Sequence, residues 1–306
     1  MQFTSSSTSF LLRLALLLSL SLLLSACGKS GENKSENEDN PAMGKSANGE
    51  ENDPKWGDME TATITYEKVA LKDSTKGCEA EVVDENIGCA MIEMEVVRFT
   101  SDEFAEEADR LNSITAGLFG EEGKNFNDPE KSARAYAEFF LADQDPTTSM
   151  SGHISENWDI QVPLAHPLLT CLEVNGGGYY GGAHGLYTTQ YTNVNPQSGE
   201  ELPFGSQLDT TNKQLFSDIF ETHYRKQNDL APNQSLIDDG WFDNKFTTTD
   251  NIGFLKKGAV MMYNVYEVKP YAAGPSEVIV PYKALREAGL IREGSQLDEL
   301  LKLSGI

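Results

Sequence analysis

The sequence predicts an α+β protein in which helices pack on a largely antiparallel sheet, arranged as two consecutive units. Three observations carry that expectation. Apolar and polar residues alternate with period two at Ala90–Val97 and again at Leu186–Val194. Apolar residues recur at helical spacing in Phe104, Ala108 and Leu111, and in Phe216, Phe220 and Tyr224. The two patterns do not follow one another in strict β-α-β order, which points away from a doubly wound parallel sheet.

Residues 1–27 stand apart from the fold. Arg13 precedes a short apolar run, Leu14–Leu24, and Ser25-Ala26-Cys27-Gly28 follows it. A charged start, an apolar stretch too short to span comfortably and small residues at its end describe an export leader. The ending resembles the lipobox of bacterial lipoproteins, in which the cysteine becomes the new N-terminus and carries the acyl chains. It implies lipidation at Cys27 and a protein anchored to a membrane rather than spanning it. Gly28 in place of Asp implies, in a Gram-negative cell, the outer membrane facing the periplasm. Residues 28–58 are rich in Gly, Ser, Asn, Glu, Asp and Lys, with Met43 and Trp56 the only large apolar residues. Such text buries too little surface to offset its ordering entropy, and it reads as a disordered tether.

The first unit, residues 59–146, opens near Glu60 with Ala62, Ile64 and Tyr66 alternating with threonines, and Ala90–Val97 gives a second strand. Cys78 and Cys89 lie between them, each beside a glycine; in an exported chain we expect them to form a disulfide. Cys171 is then a buried free thiol. Thr100 with Glu103 has the spacing of a capping box ahead of a first helix, and Asp128-Pro129-Glu130 announces a second with the face Ala133, Tyr136, Ala137 and Phe140.

The second unit, residues 147–306, has strand text at Trp158–Val162 and Leu168–Val174. Residues 176–185 then hold six glycines and His184, read as a glycine-dense connection between two strands. No Gly-Lys-Ser/Thr follows, so it is not a phosphate loop. Asn195–Gly199 is a turn, Thr211-Asn212 starts a helix, and Phe254–Val268 and Glu277–Tyr282 read as strands ahead of a short helix from Lys283.

The chain carries 48 acidic and 24 basic residues in 306, a formal charge of −24. That sign excludes nucleic acid as an expected partner and favours cationic proteins. No histidine stands at ligand spacing from a cysteine, and neither a metal nor a cofactor is expected.

Gly181-Gly182-Ala183-His184-Gly185, Leu215–Phe220, Tyr266–Pro275 and Val278–Tyr282, in that order, resemble the RsiV-like family, specifically the C-terminal domain of unknown function of the anti-sigma factor RsiV. Residues 60–145 resemble the companion N-terminal domain shared by RsiV and the peptidoglycan deacetylase PdaC. The resemblance implies an extracytoplasmic α+β sensor or binding domain, with a strongly basic lysozyme-like protein as partner, and it carries over no activity. A lipoprotein leader stands where RsiV has a sigma-binding segment and a spanning helix, which argues against an anti-sigma role.

The candidate binding residues are Tyr180, Gly181, Gly182, His184, Gly185, Tyr187, Glu267 and Tyr271. Tyrosines are favoured in binding hot spots and stack on sugar rings, so cell-wall glycan (peptidoglycan) is the alternative ligand, bound through Tyr180 and Tyr271. An envelope-polymer hydrolase would need His184 oriented by a carboxylate, with Glu267 on a strand as the best placed. No nucleophile-elbow pattern completes a triad, and the expected reading is a protein without catalytic residues.

Overall fold

The structure is a computed structural model that describes residues 63–76, 78, 88–120, 126–144 and 152–306. Cys27, the leader and the tether lie outside the described residues. Among the described residues the fold is mixed α/β, with a six-stranded and a three-stranded sheet and six α-helices. Strands β1 (Tyr66–Ser74), β2 (Cys89–Phe99), β3 (His153–His166), β4 (Leu169–Tyr179), β5 (Leu186–Asn195) and β6 (Glu200–Glu201) lie in sequence order across the larger sheet. All neighbours are antiparallel except β2 and β3. A parallel pair needs a long crossover, and helices α1 (Ala105–Gly117) and α2 (Pro129–Asp143) supply it. The sheet is therefore continuous from the first unit into the second.

Helices α1 and α2 pack on β2, and α2 also on β1. The α2 start forms as the sequence predicts: Asp128 accepts from the Lys131 amide at 3.1 Å, with Pro129 at the first helical position. The α1 capping box does not form. Thr100 donates its amide to Thr65 as an extension of β2, and the chain turns helical only after Phe104, whose amide reaches Ser101 Oγ at 3.3 Å. Among the described residues the first strand begins at Tyr66, after Thr63, Ile64 and Thr65 of its threonine-rich text. β1 is a sheet edge on which Glu67, Lys68, Lys72 and Asp73 dominate and only Leu71 is buried, so it shows little apolar alternation.

Cys78 and Cys89 form the expected disulfide, and Cys171 is a buried free thiol. β3 shows one covered and one open face: Ile154, Glu156, Trp158 and Ile160 are buried, while Ser155, Asn157, Asp159 and Gln161 are half-buried.

The rest of the chain forms a second core. Helix α3 (Phe204–Gln207) precedes α4 (Lys213–Gln227), which is capped by Asn212 and buries Phe216, Phe220 and Tyr224. α4 packs on β9 (Ser276–Val280), the edge of an antiparallel sheet with β7 (Ile252–Leu255) and β8 (Gly258–Tyr263). Helices α5 (Tyr282–Glu287) and α6 (Gln296–Leu303) close it with Leu285, Leu297, Leu300 and Leu301. The Phe254–Val268 strand text is thus a hairpin that ends at Tyr263, where the chain leaves the sheet for a loop. Among the described residues no helix is long and apolar enough to cross a membrane.

Three asparagine amides join the sheets. Asn264 accepts from the Thr189 amide at 2.7 Å, and Asn251 accepts from Tyr191 at 2.9 Å and donates to the Thr189 carbonyl at 2.7 Å. Asn193 donates to Ile252 and accepts from Phe254. Side-chain amides therefore take the place of a neighbouring strand along β5, where β6 pairs only with Val194 and Asn195.

Candidate functional site

The glycine stretch divides into two parts. Gly176–Gly178 belong to β4, paired with both β3 and β5, rather than to a connection. Close approach demands glycine there: a Cβ on Gly177 would meet the Leu186 carbonyl at 2.4 Å, and one on Gly178 the Ser155 carbonyl at 2.2 Å. The connection proper is residues 180–185, where Gly181 and Gly182 take positive φ and Tyr179 Oη donates to the Gly182 carbonyl at 2.8 Å.

That loop presents His184. Nδ1 lies 2.9 Å from the Gly185 carbonyl, which can only accept, so Nδ1 carries a proton. Nε2 then accepts from Tyr266 Oη at 3.2 Å in the neutral ring. Tyr271 stacks on the imidazole with ring centroids 3.9 Å apart and planes 19° from parallel, and Tyr266 and Tyr271 are 5.7 Å apart. His184 is exposed, and Tyr266 keeps half of its surface accessible.

Both tyrosines come from the loop after β8. Tyr266 has φ +68°, a left-handed conformation that costs a non-glycine residue about 1–2 kcal/mol. Surrounding bonds hold it there. Its amide donates to the Lys269 carbonyl at 3.1 Å, and Glu267 Oε2 accepts from the Asn264 amide at 3.0 Å. Lys269 Nζ lies 2.9 Å from Asp239 Oδ2, with both side chains mostly covered, and Asp239 also accepts from Tyr224. The Phe242 amide donates to the Val268 carbonyl at 2.9 Å.

Glu267 therefore sits in a turn rather than on a strand, and the bonds to His184 come from Gly185 and Tyr266 instead. Tyr180 also has another role. Its Oη donates to Glu156 Oε2 at 2.6 Å; Trp158 Nε1 donates to Glu156 Oε1 at 2.6 Å, and Tyr136 Oη bonds the same oxygen. Glu156 is 4% exposed, so this is a buried carboxylate held by three neutral donors. Burial first, and then the Glu156 charge, push the Tyr136 and Tyr180 hydroxyls well above the ordinary phenol value, which keeps them donors. Sequence reasoning missed Glu156 and Tyr266. The signal for Glu156 was present: a carboxylate stands at an apolar-face position between Ile154 and Trp158.

Tyr187 lies across Gly177, against which a Cβ would meet its ring at 2.5 Å. Of the other histidines, His166 is buried and accepts from the Leu168 amide at 3.1 Å, and His223 Nδ1 lies 2.9 Å from the Ile219 carbonyl. Among the described residues no group of three or more His, Cys, Asp and Glu is placed to hold a metal ion.

Fold and site together define a mixed α/β scaffold that presents a braced pair of aromatic loops. Residues 206–283 match the family described as "Protein of unknown function (DUF3298)". That span includes the loop of Tyr266 and Tyr271 but not the one of His184. Two solved structures share the fold. One is a DUF3298 family member from Bacteroides fragilis NCTC 9343, 18% identical, with a TM-score of 0.65 over 79% of this chain and 99% of that one. The other is a DUF3298 family protein from Pseudomonas aeruginosa PAO1, 19% identical, with a TM-score of 0.56 over 76% and 96%. A comparison with curated proteins gave no match.

Proposed function

We propose that the protein is a lipid-anchored, extracytoplasmic binding or sensor protein of the cell envelope, and that its paired loops bind a cationic, lysozyme-like protein. The observation that carries this reading is the exposed His184–Tyr271 stack with Tyr266 bonded to its edge. Tyrosines that are ordered before binding lose little entropy on contact, which makes them effective anchors. The left-handed Tyr266 supports the same reading, because backbone strain at a surface loop has a use only if the side chain it aims has one. Asp238, Asp243 and Glu267 stand on the same or adjoining segments, and the net charge of −24 gives a field that draws in a basic partner. The envelope location and the lipid at Cys27 rest on the leader and the RsiV-like resemblance.

The test is binding of the full chain, held in detergent, to immobilised lysozyme at low and at moderate salt. Binding that weakens with salt but persists, and that falls when Tyr266 and Tyr271 become alanine, is the expected result. No binding at low salt, where electrostatic attraction is strongest, overturns the lysozyme reading.

A further inference from the structure

Exposed apolar side chains also stand on the segment that braces the Tyr266 loop. Three triplets share one pattern: Leu236-Ile237-Asp238 and Trp241-Phe242-Asp243, between α4 and β7, and Val265-Tyr266-Glu267 after β8. In each, the first residue is buried, the second is a large exposed apolar side chain and the third is an exposed acid. Ile237 and Phe242 are 55% and 57% exposed, more than Tyr266 at 50%. Backbone and side-chain bonds stitch the triplets together. The Trp241 amide donates to the Leu236 carbonyl at 3.1 Å, the Phe242 amide donates to the Val268 carbonyl at 2.9 Å, and Lys269 Nζ meets Asp239 Oδ2 at 2.9 Å.

The buried member of each triplet, not the exposed one, serves the fold. Trp241 packs with Tyr224, Phe246 and Tyr263 at ring-centroid distances of 5.3, 5.4 and 5.5 Å, and Leu236 lies wholly buried in the same core. Single exposed apolar residues are ordinary. Three on segments bonded to one another, each followed by an acid, form a patch with a polar border, which is the mark of an interaction site. The border keeps its charge. Lys269 pairs with Asp239, but Asp238 and Asp243 make no ion pair among the described residues, and Asp243 accepts the Lys245 amide at 2.6 Å.

We propose that Ile237 and Phe242 extend the binding surface of the His184 and Tyr266 loops, and that the protein partner covers them with apolar side chains flanked by Lys or Arg. The inference rests on the cationic-partner reading above and adds a second set of contacts to it. The alternation of apolar and acidic groups selects the partner's chemistry. A purely apolar surface, or a second copy of this chain, would take Asp238 and Asp243 out of water with no opposite charge to meet them. A surface that is only basic would leave Ile237, Phe242 and Tyr266 in water and forgo their burial. A surface that carries apolar side chains among lysines and arginines satisfies both sets at once.

The test is binding of the full chain, held in detergent, to immobilised lysozyme and to immobilised polylysine, which offers charge without apolar side chains. Ile237→Ser and Phe242→Ser should each weaken lysozyme binding about tenfold and leave polylysine binding and the denaturant midpoint unchanged. At low salt, Asp238→Lys combined with Asp243→Lys should weaken lysozyme binding more than the same double change at the exposed Asp102 and Glu103 ahead of α1. Wild-type affinity for lysozyme in both serine variants overturns the inference and leaves the loop reading standing. A lowered midpoint in both overturns it as well, since the side chains would then serve the fold. So do equal effects of the two charge reversals, because net charge alone would then account for the attraction. No binding of the wild-type chain to lysozyme at low salt overturns the loop reading itself, and this inference falls with it.

Discussion

Tyr180 and His184 are four residues apart and end in opposite environments. Tyr180 turns inward to Glu156, where Tyr136 and Trp158 meet it. His184 turns outward and is met by Tyr266 and Tyr271. Both clusters consist of aromatic groups around one polar centre. The inner one ties α2, β3 and the end of β4 together around a buried charge with no cation beside it among the described residues. The outer one ties two surface loops around an exposed imidazole. A buried polar group is worth most to folding because leaving its partners unpaired is costly, whereas an exposed stack is free to contribute to binding. The inner cluster should therefore govern stability and the outer one affinity, and substitutions can separate the two.

The largest effect is expected at Glu156. Glu156→Ala leaves three donors without an acceptor and should cost about 3–5 kcal/mol in denaturant unfolding. Glu156→Gln keeps one acceptor oxygen and should cost less than the alanine change. An alanine cost under about 1 kcal/mol would break the comparison, because the inner cluster would then be no more structural than the outer one. The same cluster predicts an alkaline limb. The folded-state values of Tyr136 and Tyr180 are raised, so their contribution is fully present below the ordinary phenol value of 10.0 and is lost as pH rises beyond it, where the unfolded chain releases protons first.

Lys269 links the two behaviours, since it braces the outer loop from inside. Lys269→Met keeps most of the stem but leaves Asp239 without its cation. It should cost about 2–3 kcal/mol in stability and also weaken lysozyme binding by loosening Tyr266 and Tyr271. A loss of stability without a loss of binding would show that the loop keeps its shape without this anchor. Tyr266→Gly should move the two quantities in opposite directions. Relief of the left-handed backbone should raise stability by up to about 1 kcal/mol, while loss of the ring should weaken binding by about 2 kcal/mol. Parallel losses in both would mean that the ring supports the fold.

Much of the scaffold was legible in the sequence. The Asp128-Pro129 and Asn212 helix starts, the Asn195–Gly199 turn and the Cys78–Cys89 bridge each rest on chemistry complete within a few residues. The misreadings share a cause: the deciding partner is distant in sequence. Gly176–Gly178 look like a loop until β3 and β5 press on both sides. Thr100 looks like a cap until Thr65 takes its amide. Glu267 looks like strand text until Asn264 bonds Thr189 and ends β8. Within the candidate site His184 and Tyr271 were legible as aromatic loop residues. Tyr266 was not, because its left-handed backbone has no mark in its residue type. Tyr180 was grouped with Tyr271, although its hydroxyl reaches Glu156, 24 residues back in the chain, in the other cluster.

The smallest expected effect lies at His166, which belongs to neither cluster and so serves as a control on both. Burial holds its imidazole below the ordinary value of 6.5, and Nδ1 accepts from the Leu168 amide, a bond that only the ring unprotonated at that nitrogen can accept. Proton counting sets the sign. As pH falls through 6.5 the unfolded chain takes up a proton before the folded one does, so this contribution is full above 6.5 and is lost as pH falls toward the lower folded value. His166→Asn retains an oxygen acceptor for the Leu168 amide and does not titrate. The variant should therefore show a flatter stability profile than the wild type just below pH 6.5, with lysozyme binding at neutral pH unchanged. Parallel profiles in that window would mean that water reaches the ring, and a change in binding would mean that the outer loops depend on the core of the second unit more closely than their bonds indicate.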